Sequence, residues 1–147
     1  MTARLPMQDT ERDARTLEDH EMTTNELSPA DALRTMVIAY ADVLDGGLED
    51  TGPRAGADSG DPQTSGITFF SGHGVDVGVW ECTPGGWAIN DRPNTETMLL
   101  LAGTVTITPV DGEAVELSEG DVFVLPKGWS GRWDITETVR KLYVLAG

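Results

Sequence analysis

Glu96 stands just ahead of Met98-Leu99-Leu100-Leu101, in a stretch that otherwise reads as an apolar strand. A carboxylate taken out of water without a partner is costly, so this one needs a reason to be there. Arg92 lies four residues upstream, near the same strand end. The two either form a structural ion pair that keeps Glu96 ionised, or grip a polar ligand together. If Glu96 works as a general acid or base in a water-poor pocket, a second group must face it, and Tyr143 or Lys141 is the candidate. Lys141 and Arg140 alternate faces, so one points inward and one toward solvent, and either can pair with Glu81 or Glu96.

Trp80, Trp87, Trp129 and Trp133 crowd into the second half of the chain. Tryptophans fill cores and dimer faces more often than they bind ligands, yet with Tyr143 these are able to wall a pocket. Their orientation is ambiguous, because Val75, Val77, Val79 and Glu81 share one side of a strand while Trp80 and Cys82 share the other. Cys82 has no neighbouring histidine and reads as a buried, inert thiol. We nevertheless place Trp80, Cys82, Trp87, Arg92, Glu96 and Trp133 on the candidate ligand-binding wall. The histidines are His20, in an N-terminal polar stretch, and His73, in a Ser-Gly-His-Gly turn, so a three-histidine metal site is impossible.

The elements that must position these groups occupy 147 residues, one ordinary domain plus appendages. With 25 Asp and Glu against 10 Lys and Arg, the formal charge is −15. Such a surface repels phosphates and anionic lipids, so neither nucleic acid nor membrane is an expected partner. One cysteine makes no internal disulfide, and the charged N-terminus lacks the apolar core of a secretory signal, so the cytoplasm is the expected compartment.

Residues 1–27 are polar and without period, and read as a disordered tail. Ser28-Pro29-Ala30-Asp31 is a helix start, with an N-cap serine and a proline at the first helical position. Leu33, Val37, Tyr40 and Leu44 then make one apolar stripe, and Gly46-Gly47 supplies the stop, which predicts a helix over 28–46. Residues 47–63 carry Gly-Pro, Ser-Gly and Asp-Pro turn signals and read as a linker or irregular arm. From residue 64 to the end the pattern is that of short strands. The hairpin through Pro109-Val110-Asp111-Gly112 is the clearest, and many strands without intervening helices argue an all-β sandwich or barrel.

Two patches make this more specific. Gly120-Asp121-Val122-Phe123-Val124-Leu125-Pro126-Lys127-Gly128 resembles the second cupin motif, and Glu96 followed by Gly103 resembles the latter half of the first. Gly78 to Gly85, and the tail from Gly128 through Tyr143, are similar to small cupins related to ureidoglycine aminohydrolase and to an ethanolamine-utilisation cupin. The resemblance implies a jelly-roll-like cupin β-barrel over 64–147. It also implies a metal site of three histidines and a glutamate, whose positions here read Asn90, Arg92, Glu96 and Gly131. Arginine never deprotonates to become a ligand, so no metal or other cofactor is expected.

The first reading is a metal-free barrel that binds a small polar metabolite. The second is a metal-independent, or weakly metal-dependent, enzyme using Glu96, with any metal held by Glu96, Glu81, Asn90 and Cys82. The third is a structural module that associates as a homodimer.

Overall fold

The computed structural model describes residues 35–147. The tail expected over 1–27 and the helix start at Ser28 lie outside those residues. Within them one short helix, α1 (Tyr40–Asp45), precedes nine strands: β1 (Glu49–Pro53), β2 (Ala57–Gly60), β3 (Gln63–Gly72), β4 (Val75–Cys82), β5 (Gly85–Ile89), β6 (Thr95–Pro109), β7 (Val115–Ser118), β8 (Val122–Leu125) and β9 (Gly131–Ala146).

All pairings are antiparallel and form one curled sheet in the order β1-β3-β4-β9-β5-β2, with β6 pairing β9 on one edge and β7 and β8 on the other. β6 and β9 are the long bent strands around which the rest is hung. The curl brings one face of β4, β5, β6, β8 and β9 together as an interior, a cupin architecture.

The bend in β6 is what sets the interior. Glu96, Met98 and Leu100 share one face, but after register shifts between Leu100 and Val105 the inward positions become Val105 and Ile107. Such bulges insert residues into one strand and flip its alternation. Gly103, with φ of +90°, sits inside the bulge, and any side chain there would strike the Thr138 carbonyl. That explains why Met98 through Leu101 are apolar without a gap: Leu99 and Leu101 face the other way, into a second apolar cluster.

This second cluster lies on the outer face of the sheet, where Val43, Phe69, Val79 and Leu101 are joined by Ile38, Leu44, Leu48, Ile67, Leu99 and Leu142. It is where α1 docks. The long helix expected up to residue 46 is shorter among the described residues: Thr35–Ala39 is not helical, and Ala39 is an N-cap without a side-chain bond. The stripe is displaced accordingly, with Ile38, Val43 and Leu44 packed inward while Val37 and Tyr40 are exposed. Arg140 holds the helix in place of a conventional cap, its guanidinium donating to the carbonyls of Val43 (3.0 Å), Gly46 (2.9 Å) and Asp42 (3.4 Å). A cation on orphan carbonyls at a helix C-terminus is doubly favourable.

The stretch read as an irregular arm is also ordered. β1 pairs with β3 and β2 with β5, so residues 47–63 lengthen the sheet at both of its ends. The turn signals were real, but they mark the Pro53–Ala57 connection and the β2–β3 corner, not an unstructured linker.

Candidate functional site

The interior of the curl holds a cavity of about 400 Å³, lined by Arg54, Trp80, Trp87, Ile89, Arg92, Pro93, Asn94, Glu96, Trp133, Lys141, Tyr143 and Leu145. Its charged floor is assembled by strand register. Lys141 on β9 stands between Trp80 of β4 and Leu100 of β6, and Met98, one inward step along β6, is opposite Tyr143. From there Lys141 reaches Glu96: its Nζ lies 2.7 Å from Glu96 Oε2 and 3.4 Å from the Met98 sulfur. Both partners are almost fully enclosed, Glu96 at 5% and Lys141 at 6% exposure.

Arg92 takes the other carboxylate oxygen, with a guanidinium nitrogen 3.0 Å from Glu96 Oε1. It also donates to the Asn94 carbonyl and side-chain oxygens at 3.3 and 3.0 Å. Its position is fixed by the Pro126-Lys127-Gly128 corner: the Arg92 amide donates to the Trp129 carbonyl, and its carbonyl accepts from Gly128. Next to it Asp91 adopts φ of +55° and donates its amide to Ser130 Oγ. The second cupin motif therefore works here as the clamp that aims Arg92. Glu96 is a charge-assisted hub with a cation on each oxygen.

The walls are aromatic. Trp87 and Trp133 face each other across the β5–β9 register and stack at 5.8 Å and 16°, while Trp80 meets both edge-on. Lys141 Nζ lies 4.3 Å from the Trp80 ring centre and 4.6 Å from that of Trp133. Burial lowers the Lys141 pKa, and Glu96 pulls it back up by charge and hydrogen bond. An ammonium so enclosed depends on its carboxylate and its ring faces.

Tyr143 lies across Gly78 and its hydroxyl shares a 3.2 Å hydrogen bond with Thr68 Oγ1. Only a residue without a side chain fits at Gly78, because a Cβ would come within 2.5 Å of the Tyr143 hydroxyl and collide with the Ile67 carbonyl. Burial raises the Tyr143 pKa.

Of the residues expected at the site, Trp80, Trp87, Arg92, Glu96, Trp133, Lys141 and Tyr143 all line this cavity. Cys82 does not. It faces inward from β4, but at 1% exposure it is sealed in the core at the strand end, its thiol directed to the Thr83 carbonyl at 3.4 Å, and burial pushes its pKa up to about 11. Glu81 is on the outer face, 3.9 Å from Arg140, so it does not join Glu96 in a metal site. Arg140 itself points neither into the cavity nor to solvent, but beneath α1.

Sequence reasoning does not reach Ile89, Pro93, Asn94 and Leu145 on the wall, nor its further cation. Arg54, in the β1–β2 connection, lays its guanidinium 4.7 Å from the Trp87 ring centre. It sits in a run of turn residues with no periodicity, and the available signal was that it is a rare cation in an acidic chain.

The donors present do not fit a divalent metal. The glutamate oxygens are each held by a cation, and no group of three or more His, Cys, Asp or Glu side chains converges anywhere among the described residues. A cation beside these two would meet repulsion instead of open lone pairs.

Residues 71–143 match the family model of the EutQ-like cupin domain. A crystal structure of a protein with unknown function of the DUF861 family, from Pseudomonas syringae pv. tomato, superposes with a TM-score of 0.65 at 26% identity, covering 71% of this chain and 46% of that one. The present chain thus spans under half of that relative's length. A putative ethanolamine utilization protein Q from Salmonella typhimurium gives 0.53 at 24% identity over 65% of this chain and 76% of that one. The Clostridium difficile EutQ protein gives 0.51 at 20%, over 58% and 68%. No curated protein matches the sequence. Family model and fold agree on a cupin domain, and residues 71–143 are similar to the EutQ-like type within the cupins.

Proposed function

We propose that the barrel is a metal-free binding module for a small polar metabolite. The observation that carries this reading is the open-mouthed, aromatic-walled cavity of about 400 Å³ whose polar groups converge on one buried ion hub. Concave sites with apolar walls and a few fixed polar groups are the usual form of small-molecule sites. The positions that hold histidines in metal-binding cupins read Asn90, Arg92 and Gly131 here, which supports binding without a metal.

The alternative is an enzyme with Glu96 as acid or base, in keeping with the resemblance to ureidoglycine aminohydrolase. It is less well supported, because Glu96 spends both oxygens on Lys141 and Arg92, and Tyr143 is turned to Thr68. A carboxylate held this way is suited to anchoring cations rather than to ferrying protons.

Elemental analysis of the purified protein, before and after incubation with manganese, iron, zinc and nickel, tests the reading with Glu96→Gln as control. No stoichiometric metal is expected in either protein. A screen of small polar metabolites should give at least one that raises the melting temperature, since a ligand at one hundred times its Kd adds about 2.7 kcal/mol. Stoichiometric metal that disappears in Glu96→Gln would overturn the proposal.

A further inference from the structure

Arg54, Arg92 and Lys141 all line the cavity, and Glu96 is the carboxylate that lines it with them. This imbalance exists in a chain of formal charge −15, where basic residues are scarce. The other basic side chains of the described residues are spent elsewhere. Arg132 is held by Asp58 and Asp134, Arg140 by the end of α1 and Glu81, and Lys127 is exposed. Arg54 has no carboxylate partner among the described residues; its guanidinium donates to the Ala55 carbonyl at 2.6 Å. Burial lowers its pKa, and the Arg92 charge acts in the same direction. Cations gathered in a partly desolvated space with one counter-charge are uncompensated, and an incoming anion relieves that cost.

The aromatic walls decide against the opposite charge. A box of tryptophans is the usual receptor for a quaternary ammonium or other cation. Here each ring already carries an internal one: Arg54 lies over Trp87, and Lys141 over Trp80 and Trp133. A cationic ligand would displace or repel them. The Trp87 and Trp133 indole nitrogens add buried donors, not acceptors, to these walls, and neither has a hydrogen-bond partner among the described residues. Ile89, Pro93 and Leu145 complete an apolar surface beside the charges, which suits a compact hydrocarbon or ring body better than a bare inorganic anion.

Resting on the binding-module reading above, we propose that the cavity's ligand is a small organic acid, whose carboxylate is held between Arg54 and Arg92 and whose apolar body lies against the tryptophans. Arg54 is then the residue that makes the site select anions. Glu96 neutralises one of the two inner cations, Lys141 or Arg92, and leaves the excess that the ligand completes.

Calorimetric titration of the full chain with acetate, benzoate and succinate, against benzamide, succinamide and inorganic phosphate, tests this. At least one of the acids should bind, with its amide weaker by about 10-fold or more, the scale of a lost charge-assisted contact. Arg54→Gln, at a half-exposed turn position, should weaken that acid by a similar factor without lowering the melting temperature, and Arg54→Lys should restore part of the loss. An amide that binds as well as its acid overturns the anion assignment while leaving the binding module standing. So does an Arg54→Gln variant with unchanged acid affinity, or phosphate binding tighter than every acid. Binding by none of the probes would count against both proposals.

Discussion

Replacing Glu96 by Gln removes the one negative charge of the hub while keeping its shape. Two buried cations then lose their counter-charge, and breaking one side of a buried pair costs about 3–5 kcal/mol. Lys141 sets a ceiling, because it escapes by shedding its proton. From pH 7.5 to its ordinary value of 10.5, at about 1.36 kcal/mol per unit, that escape costs about 4 kcal/mol. Arg92 has no such escape but keeps its bonds to Asn94. We therefore expect Glu96→Gln to lose about 3 kcal/mol at pH 7.5.

The pH dependence carries the mechanism. A lysine whose folded pKa is depressed binds fewer protons when folded than when unfolded, between its folded value and 10.5, so stability rises with pH across that window. In the native protein burial depresses Lys141 and Glu96 opposes the depression; without Glu96 the window widens downward. The penalty of the variant should shrink from about 3 kcal/mol at pH 7.5 to about 1 kcal/mol at pH 10. Cys82 titrates in the same range in both proteins and cancels from the difference to first order. Urea unfolding followed by tryptophan fluorescence at the two pH values measures it. A penalty below about 1 kcal/mol at pH 7.5, or one equal at both pH values, would refute the buried ion hub.

Two further outcomes follow from packing and burial. Gly78→Ala should cost about 1–3 kcal/mol in urea unfolding, because the methyl meets the Tyr143 ring and the Ile67 carbonyl, whereas Tyr143→Phe, losing one bond to Thr68, should cost about 1 kcal/mol or less. The Cys82 thiol, raised from 9.0 to about 11, holds about 100-fold less thiolate at pH 8 than an ordinary one, so a colourless-to-yellow disulfide reagent should label the native protein at least that much more slowly than the urea-unfolded protein. Equal rates in the two states would contradict its burial.

Strand grammar and the Pro-x-Gly corner were readable in the residues, and Glu96 was found because a carboxylate among leucines demands a partner. Alternation alone left the faces of β4 undecided; the sheet's curl puts Trp80 and Cys82 inside and Val79 outside. The flip in β6 was hidden because a bulge has no periodic signature, although Gly103 marked the spot. Alternation leaves open which of Arg140 and Lys141 points inward; Lys141 does and pairs with Glu96, while Arg140 lies near Glu81 and bonds the carbonyls of Asp42, Val43 and Gly46, which come from chain far upstream. Local periodicity is silent about such contacts. The helix over 28–46 was drawn too long within the described residues because an i, i+4 stripe was extended through Thr35–Ala39, which does not coil. Arg54 was lost for a related reason: turn-forming neighbours suggested an arm, while β1 and β2 are held by pairing with β3 and β5.

A crystal structure of the protein grown with the organic acid that binds best in the titration tests the central claim most directly. The account predicts that acid inside the barrel, its carboxylate between the guanidinium groups of Arg54 and Arg92 and its body against Trp80 and Trp133, with the Lys141–Glu96 pair intact. An acid bound only on the outer surface, or a metal ion coordinated by Glu96 in place of the two cations, would contradict it.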